Sequence, residues 1–482
     1  MKKNVVILSF LFCLSAAFSS AQQRLIFKDG RFVIAQFTDL HWTPKSVRCA
    51  ETAAVIRAVL KAERPDMVVL SGDVVTEAPA PEGWQAVIGI FDEAKIPFVV
   101  TMGNHDAEPM GKEAIYDLLL KSPFYVGTKG PEELAGCGNC VLPVYGSTKE
   151  KTVKALLYCI DSNDYQPNKL YGPYDWIHFD QIAWYRAQST CYTDRNGGKP
   201  VPALAFFHIP LLEYNELPGD GKTYGNSREG GVASSCINSG MFASFVDMKD
   251  VMGAFVGHDH DNDYIGINKG IALGYGRVTG ADAYGSLTRG ARIIELYEGQ
   301  WKFDTWISTP AGREAAYYYP SGLNSEEECT MTYLPAQEAS PSKQGVAYAY
   351  YEGKCKRISD IASCKKIKEG TMRNITIEES LAADHFAYEF RTLIRIPGRG
   401  VYRFYTFSDD GSVLYIDGEQ IVDNDGGHSG RRAEGKVALE KGLHELRLLY
   451  FEDYMGQELE VGYSGRNIEE TVLPDTMLFL PD

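Results

Sequence analysis

Phe32-Val33-Ile34-Ala35-Gln36-Phe37, closed by Asp39-Leu40-His41, reads as a strand whose end carries two side chains able to bind a metal. The design recurs along the chain. Val55, Ile56, Val59 and Leu60 fall at helical spacing until Pro65 stops the helix, and Met67 to Leu70 is a second strand that runs into Gly72-Asp73. Trp84, Val87, Ile88 and Phe91 form the apolar face of a second helix. After Pro97 a third strand through Val99 and Val100 reaches Gly103-Asn104-His105-Asp106. The order βαβαβ predicts stacked α and β layers over about residues 31–306. Leu204–Phe207 then precedes His208, and Ala254–Val256 precedes Gly257-His258-Asp259-His260. Ligands of open α/β sheets bind beyond the carboxyl ends of strands, so five blocks in that position can converge on one edge.

Five of the chain's nine histidines stand in these blocks. Two divalent cations about 3.5–4 Å apart polarise a phosphoryl group and lower the pKa of a shared water. Such a pair needs imidazoles, hard oxygens and one carboxylate that reaches both metals. Asp39, His41, Asp73 and His260 complete one site, and Asp73, Asn104, His208 and His258 the other, with Asp73 as the bridge. Mixed N/O ligation suits Mn, Zn or Fe without choosing among them. Gly72, Gly103 and Gly257 let the chain turn as it leaves each strand. With Asn104 as ligand, His105 is free to face substrate, to stabilise the transition state or to protonate the departing alkoxide, and Asp106 is expected to hold it in the charged form. His178, flanked by no ligand partners, is expected to be structural.

The chain has 482 residues and a formal charge of −16, which disfavours nucleic acid and anionic membranes as partners. Lys2 and Lys3, the apolar run Val5–Phe18 and Ser19-Ser20-Ala21 read as a signal peptide over residues 1–21, so the protein is expected to be secreted or periplasmic. No other stretch approaches the roughly 20 apolar residues of a membrane span. Of ten cysteines Cys13 leaves with the signal, and an odd number enters a disulfide-permissive compartment. Cys137 and Cys140 are expected to form a local or cross-loop disulfide, and Cys355 and Cys364 are close enough in sequence to be another pair.

Taken together, the five blocks resemble the calcineurin-like metallophosphoesterase superfamily over about residues 31–306. Tyr158-Cys159-Ile160-Asp161-Ser162, Phe206-Phe207-His208-Ile209-Pro210-Leu211 and Gly257-His258-Asp259-His260-Asp261-Asn262-Asp263 are similar to its purple-acid-phosphatase-like branch. The resemblance implies an α+β fold, a four-layer αββα sandwich. It also implies hydrolysis of a phosphorylated small molecule, a phosphomonoester, by hydroxide bridging the metals. Thr76 stands where the purple enzymes carry the iron-binding tyrosine, so neither the colour nor Fe(III) carries over. The same blocks serve phosphodiesters, and a chiefly glycan- or surface-binding protein with a weak metal centre is the competing expectation.

Residues 309–344, broken by Pro, Gly, Ser and Glu, read as a linker between a domain of residues 22–308 and one of residues 345–482. Alternation through Val401–Phe407, turns at Asp410-Gly411 and Asp417-Gly418, and the run Leu443–Phe451 predict an all-β antiparallel sandwich. Phe404–Ser412, Leu414–Gly418 and Val422–Gly426 resemble the protective-antigen-type, lectin-like module. By that resemblance Asp409 and Asp410 would hold Ca²⁺ that binds a glycan, a role that hard oxygens at loop tips can fill. Asp-Asp-Gly is equally a plain turn signal.

Overall fold

The computed structural model describes residues 24–148, 152–217, 223–339 and 343–481. The stretch read as a signal peptide, residues 1–21, lies outside them. The chain divides into two compact units that part between Tyr317 and Tyr318.

In the first unit a seven-stranded sheet has the parallel strands β1 (Arg31–Phe37), β2 (Met67–Ser71) and β3 (Phe98–Thr101) at one side, with Ala291–Tyr297 antiparallel to β1. The intervening helices α1 (Cys49–Glu63) and α2 (Ala80–Ala94) form where the apolar spacing predicts them, and α1 ends on Arg64 in a left-handed conformation just before Pro65. The strand pleat sorts side chains between layers. Val68 and Leu70 of β2 join Ile56, Val59, Trp84, Val87 and Phe91 in a helix-facing core, while the buried Met67 and Val69 point the other way.

An eight-stranded sheet contains β4 (Cys140–Tyr145), β5 (Val153–Cys159), β6 (Ala203–Phe206) and β7 (Val251–Val256), adjacent in that order apart from the sheet's edge strands. Its outer core joins Tyr158, Ala205 and Val256 to Trp184, Tyr185, Phe242 and Phe245 of two further helices. Between the sheets Phe255 meets Phe303 edge to face at 5.7 Å, and Gln36 Nε2 donates to Ser71 Oγ at 2.8 Å and to the Val256 carbonyl at 3.0 Å. The result is the expected α+β sandwich, with helices outside two facing sheets.

The stretch read as a linker carries regular structure. Gly312–Tyr319 is a strand that extends the seven-stranded sheet, and Ser325–Thr330 is a short helix. Tyr317, Tyr318 and Tyr319 within it are buried. Cys137 and Cys140 form no disulfide. Cys140 lies opposite Cys159 across β4 and β5, whereas the Cys137 thiol donates toward Glu113 at 3.5 Å. Cys355 and Cys364 also form no disulfide, although their sulfurs lie 3.3 Å apart.

The second unit is an antiparallel β-sandwich. One sheet centres on β8 (Gly400–Asp409), flanked by Arg431–Leu439 and Glu458–Gly465. The other includes β9 (Ser412–Ile416), β10 (Glu419–Asn424) and β11 (Gly442–Glu452) beside Phe386–Ile396. Phe386, Phe390, Phe404, Leu414, Leu448 and Tyr463 fill the space between them. No helix among the described residues is long and apolar enough to cross a membrane.

Candidate metal centre

All five blocks leave the carboxyl ends of their strands on one edge of the first unit. Backbone hydrogen bonds stitch the exits together: Asp39 N donates to Gly72 O, His41 N to Asp73 O, and Gly257 N to His208 O, all at 2.9–3.1 Å. Asp39, His41, Asp73 and His258 have positive φ, of 52°, 41°, 51° and 79°. Non-glycine residues held there cost about 1–3 kcal/mol each and persist where the surroundings over-determine them. The glycines differ in role. Gly72 has a φ of 91°, but Gly257 is required by closeness, since a Cβ there would sit 2.0 Å from Thr38 Oγ1 and 2.6 Å from Asp39 Oδ2.

Six side chains fall into two groups of convergent donors, Asp39 with His41 and His260, and Asp73 with His208 and His258. His260 Nε2 is 3.2 Å from Asp39 Oδ1 and 3.2 Å from His41 Nε2, and His258 Nδ1 is 3.3 Å from His208 Nε2. One oxygen joins the groups: Asp73 Oδ2 lies 3.2 Å from His208 Nε2 and 3.7 Å from His41 Nε2. His208 donates Nδ1–H to the Ser71 carbonyl at 2.8 Å, which directs its Nε2 lone pair inward. Asn104 is buried, and its carbonyl oxygen has no hydrogen-bond partner, as is true of His258 Nε2 and His260 Nδ1. Buried polar atoms are normally satisfied, so the unpartnered Asn104 oxygen fits a cation, whereas the unpartnered nitrogens of His258 and His260 are not the ones that converge with the other donors.

Electrostatics agree with that fit. Burial opposes charge on Asp39, but His260 and His208 outweigh it and hold the carboxyl down at about 2; Asp73 is held lower still by His208 and His41. Burial pushes His41 down to about 4 and His258 to about 3, leaving neutral imidazoles with lone pairs to offer. His208 is the exception: although burial opposes charge, Asp73 raises it to about 10, so its Nε2 must give up a proton before the ring can ligate. Two anionic carboxylates amid imidazoles form an N/O donor set suited to divalent transition metals.

His105 sits beside this cluster, its ring 5.5 Å from that of His41. Its partner is not Asp106. The Asp106 carboxylate accepts the backbone N–H groups of Asp73, Val74, Val75 and Gly103 at 2.8–3.1 Å, tying two of the strand exits together. Glu108 instead meets His105 Nδ1 at 2.9 Å. Adjacent residues on a turn point apart while the third residue on returns to the same side, a spacing that could have flagged Glu108. His178 packs on Trp176 and bonds Asp175 at 3.0 Å, outside the cluster.

Sequence reading missed three tyrosines. Tyr165 bonds Asn104 and approaches His105, Tyr174 meets the His258 ring edge-on at 4.6 Å, and Tyr284 stacks on His260 at 3.9 Å. Tyr165 lies four residues beyond Asp161, in a loop whose length hides which residues return to the site.

In the second unit Asp409 and Asp410, joined by a cis peptide, converge with Glu452 at the end of β11. Asp410 accepts N–H groups from His428 and Asp453, and Asp409 one from Gly430. Both Glu452 oxygens are buried without a partner, and burial together with the two aspartates pushes its pKa up to about 8. Glu452 was not foreseen, since only the fold brings the end of β11 to the Asp-Asp corner.

Residues 32–262 match the family described as calcineurin-like phosphoesterase, and residues 342–476 the PA14 domain. The chain is 32% identical over 329 residues to "Probable inactive purple acid phosphatase 29" of Arabidopsis thaliana, an overlap covering 60% of this chain and 84% of that protein. It is 32% identical over 315 residues to "Probable inactive purple acid phosphatase 28" of the same plant, covering 58% and 78%. To "Phosphatase DCR2" of Saccharomyces cerevisiae it is 28% identical over 266 residues, covering 49% and 45%.

Proposed function

The chain belongs to the calcineurin-like phosphoesterase family and carries a C-terminal PA14 domain, and on that premise we propose that it is an active two-metal phosphoesterase acting on phosphomonoesters. The observation that carries this reading is Asp73 Oδ2, one carboxylate oxygen within reach of both donor groups. Asp39, His41, Asp73 and His260 would hold one cation, and Asp73, Asn104, His208 and His258 the other. Mn, Zn or Fe suits the set. Two such cations would polarise the phosphoryl oxygens and make a shared water acidic.

The chain's own groups supply the rest. His105, half-exposed at the edge of the cluster, is placed to protonate the departing alkoxide, and Glu108, 2.9 Å from its Nδ1, holds the ring in place. The names of the Arabidopsis relatives include the word inactive; the complete donor set supports turnover in this chain. The lysines and apolar run of the N-terminus support export to the periplasm or beyond.

Metal analysis of the purified full chain, followed by rates on aryl phosphate monoesters and diesters with Mn, Zn or Fe restored, tests the reading. Two bound metals, with monoester hydrolysis exceeding diester hydrolysis, is the expected result. Two metals with turnover of neither substrate would sink it. His105→Asn should lower kcat by about 10²–10⁴-fold with both metals retained.

A second reading concerns the PA14 domain. The Asp409, Asp410 and Glu452 cluster, all hard oxygens with two of them unpartnered, supports Ca²⁺-dependent binding of a glycan.

A further inference from the structure

Asn104 is the unusual donor of the metal centre. Either oxygen of a carboxylate can serve a cation, and an imidazole is aimed through its second nitrogen, but a carboxamide turned by 180° presents NH₂ where oxygen stood. Its orientation must be set from outside. Asn104 Nδ2 donates to the Tyr165 phenol oxygen at 2.9 Å, which leaves the buried, unpartnered Oδ1 as the atom able to meet a cation.

The phenol could also donate, and would then accept the opposite amide orientation. Its single proton has another acceptor, however. The Glu108 carboxylate, which can only accept, is within hydrogen-bonding reach of the phenol, and it also takes the His105 Nδ1–H, 3.3 Å from Tyr165 Oη.

Tyr165 is itself held by a closed loop. Tyr165 and Tyr174 form an antiparallel bridge and stack at 6.0 Å, and Gln166 N donates to the Pro173 carbonyl. At the loop's base Lys112 bonds Asp161 at 2.9 Å and lies 3.2 Å from Asp164, while Asn163 donates to the Trp176 carbonyl at 2.7 Å. Tyr174 then abuts His258, so the tyrosine pair touches two members of one proposed ligand set, Asn104 and His258.

We propose, on the two-metal reading above, that Tyr165 is a positioning residue for the second cation: its phenol fixes the Asn104 carboxamide with the oxygen presented for ligation and joins that ligand to His105. Partners that orient ligating groups are worth about 10–100-fold in metal affinity.

The test is Mn²⁺ titration of the metal-free full chain, read by electron paramagnetic resonance and calorimetry, for wild type, Tyr165→Phe, and Tyr165→Phe combined with Asn104→Asp. The expected result is a 10–100-fold weaker second equivalent in Tyr165→Phe, an unchanged first equivalent, and an unchanged thermal midpoint of the metal-free chain. Asn104→Asp should restore the second equivalent, because a carboxylate has no amide to turn. Unchanged binding of the second Mn²⁺ in Tyr165→Phe, equal weakening of both equivalents, or no restoration by Asn104→Asp would overturn the role. Wild type that binds two Mn²⁺ yet hydrolyses no aryl phosphate would remove the phosphoesterase reading while leaving this one standing.

Discussion

Asp106 and His105 are adjacent, yet their side chains do different work. Asp106 is fully buried and its two oxygens take four backbone N–H groups, so it fixes the loops that present Asp73 and Asn104. Buried backbone donors stranded without an acceptor cost about 1–3 kcal/mol each. Asp106→Ala should therefore destabilise the metal-free chain by about 3 kcal/mol or more in urea unfolding. His105→Asn, at a half-exposed site, should shift stability by less than about 0.5 kcal/mol. The reverse ranking would mean that the assigned roles are exchanged. The Asn-His-Asp block was legible as part of a site; which neighbour serves His105 was not, because that depends on the turn's direction rather than on sequence adjacency.

At the scale of elements, two identical dipeptides behave differently. Asp417-Gly418, with both φ angles positive, joins β9 to β10 as a tight hairpin. Asp410-Gly411 instead carries the chain from β8 in one sheet to β9 in the other, forming a corner that sets Asp410 against Glu452. The hairpin's Asp417 also anchors His444 of β11, whose Nδ1 lies 2.6 Å from Asp417 Oδ2 and whose Nε2 lies 2.9 Å from the Glu440 carbonyl. Burial alone would lower the His444 pKa, but the Asp417 hydrogen bond and the Glu440 carbonyl outweigh it and raise the pKa. A histidine whose folded pKa is raised stabilises fully below its unfolded pKa of about 6.5 and loses that contribution as pH rises through the folded value. Unfolding of the C-terminal unit in the full chain, followed by urea titration, should therefore weaken from about pH 6 upward, by at most about 1.4 kcal/mol per pH unit. His444→Gln should flatten this slope, and an unchanged slope in that variant would assign the pH dependence to other groups.

Across the whole molecule, each unit carries its own polar centre, one of mixed imidazole and oxygen donors and one of oxygen alone. Ligand softness predicts that the centres separate chemically. After chelation of the full chain, Mn²⁺ should restore aryl phosphate hydrolysis, and Ca²⁺ should restore glycan-array binding without restoring hydrolysis. Asp409→Asn and Asp410→Asn should abolish the calcium response and leave turnover intact; Ca-dependent binding that survives in both variants would refute that site. The sequence by itself determined the layered α+β domain, the β-sandwich that follows it, and the residues that gather at one edge, because strand periodicity and position after a strand are local properties. Only the tertiary structure decided that Asp73 offers one oxygen to both donor groups, that Asp106 serves the backbone while Glu108 serves His105, and that Tyr165 and Glu452 belong to the two centres. Those contacts join residues from separate strands and loops, and their distances are set by how sheets pack and loops return, which spacing along the chain does not encode.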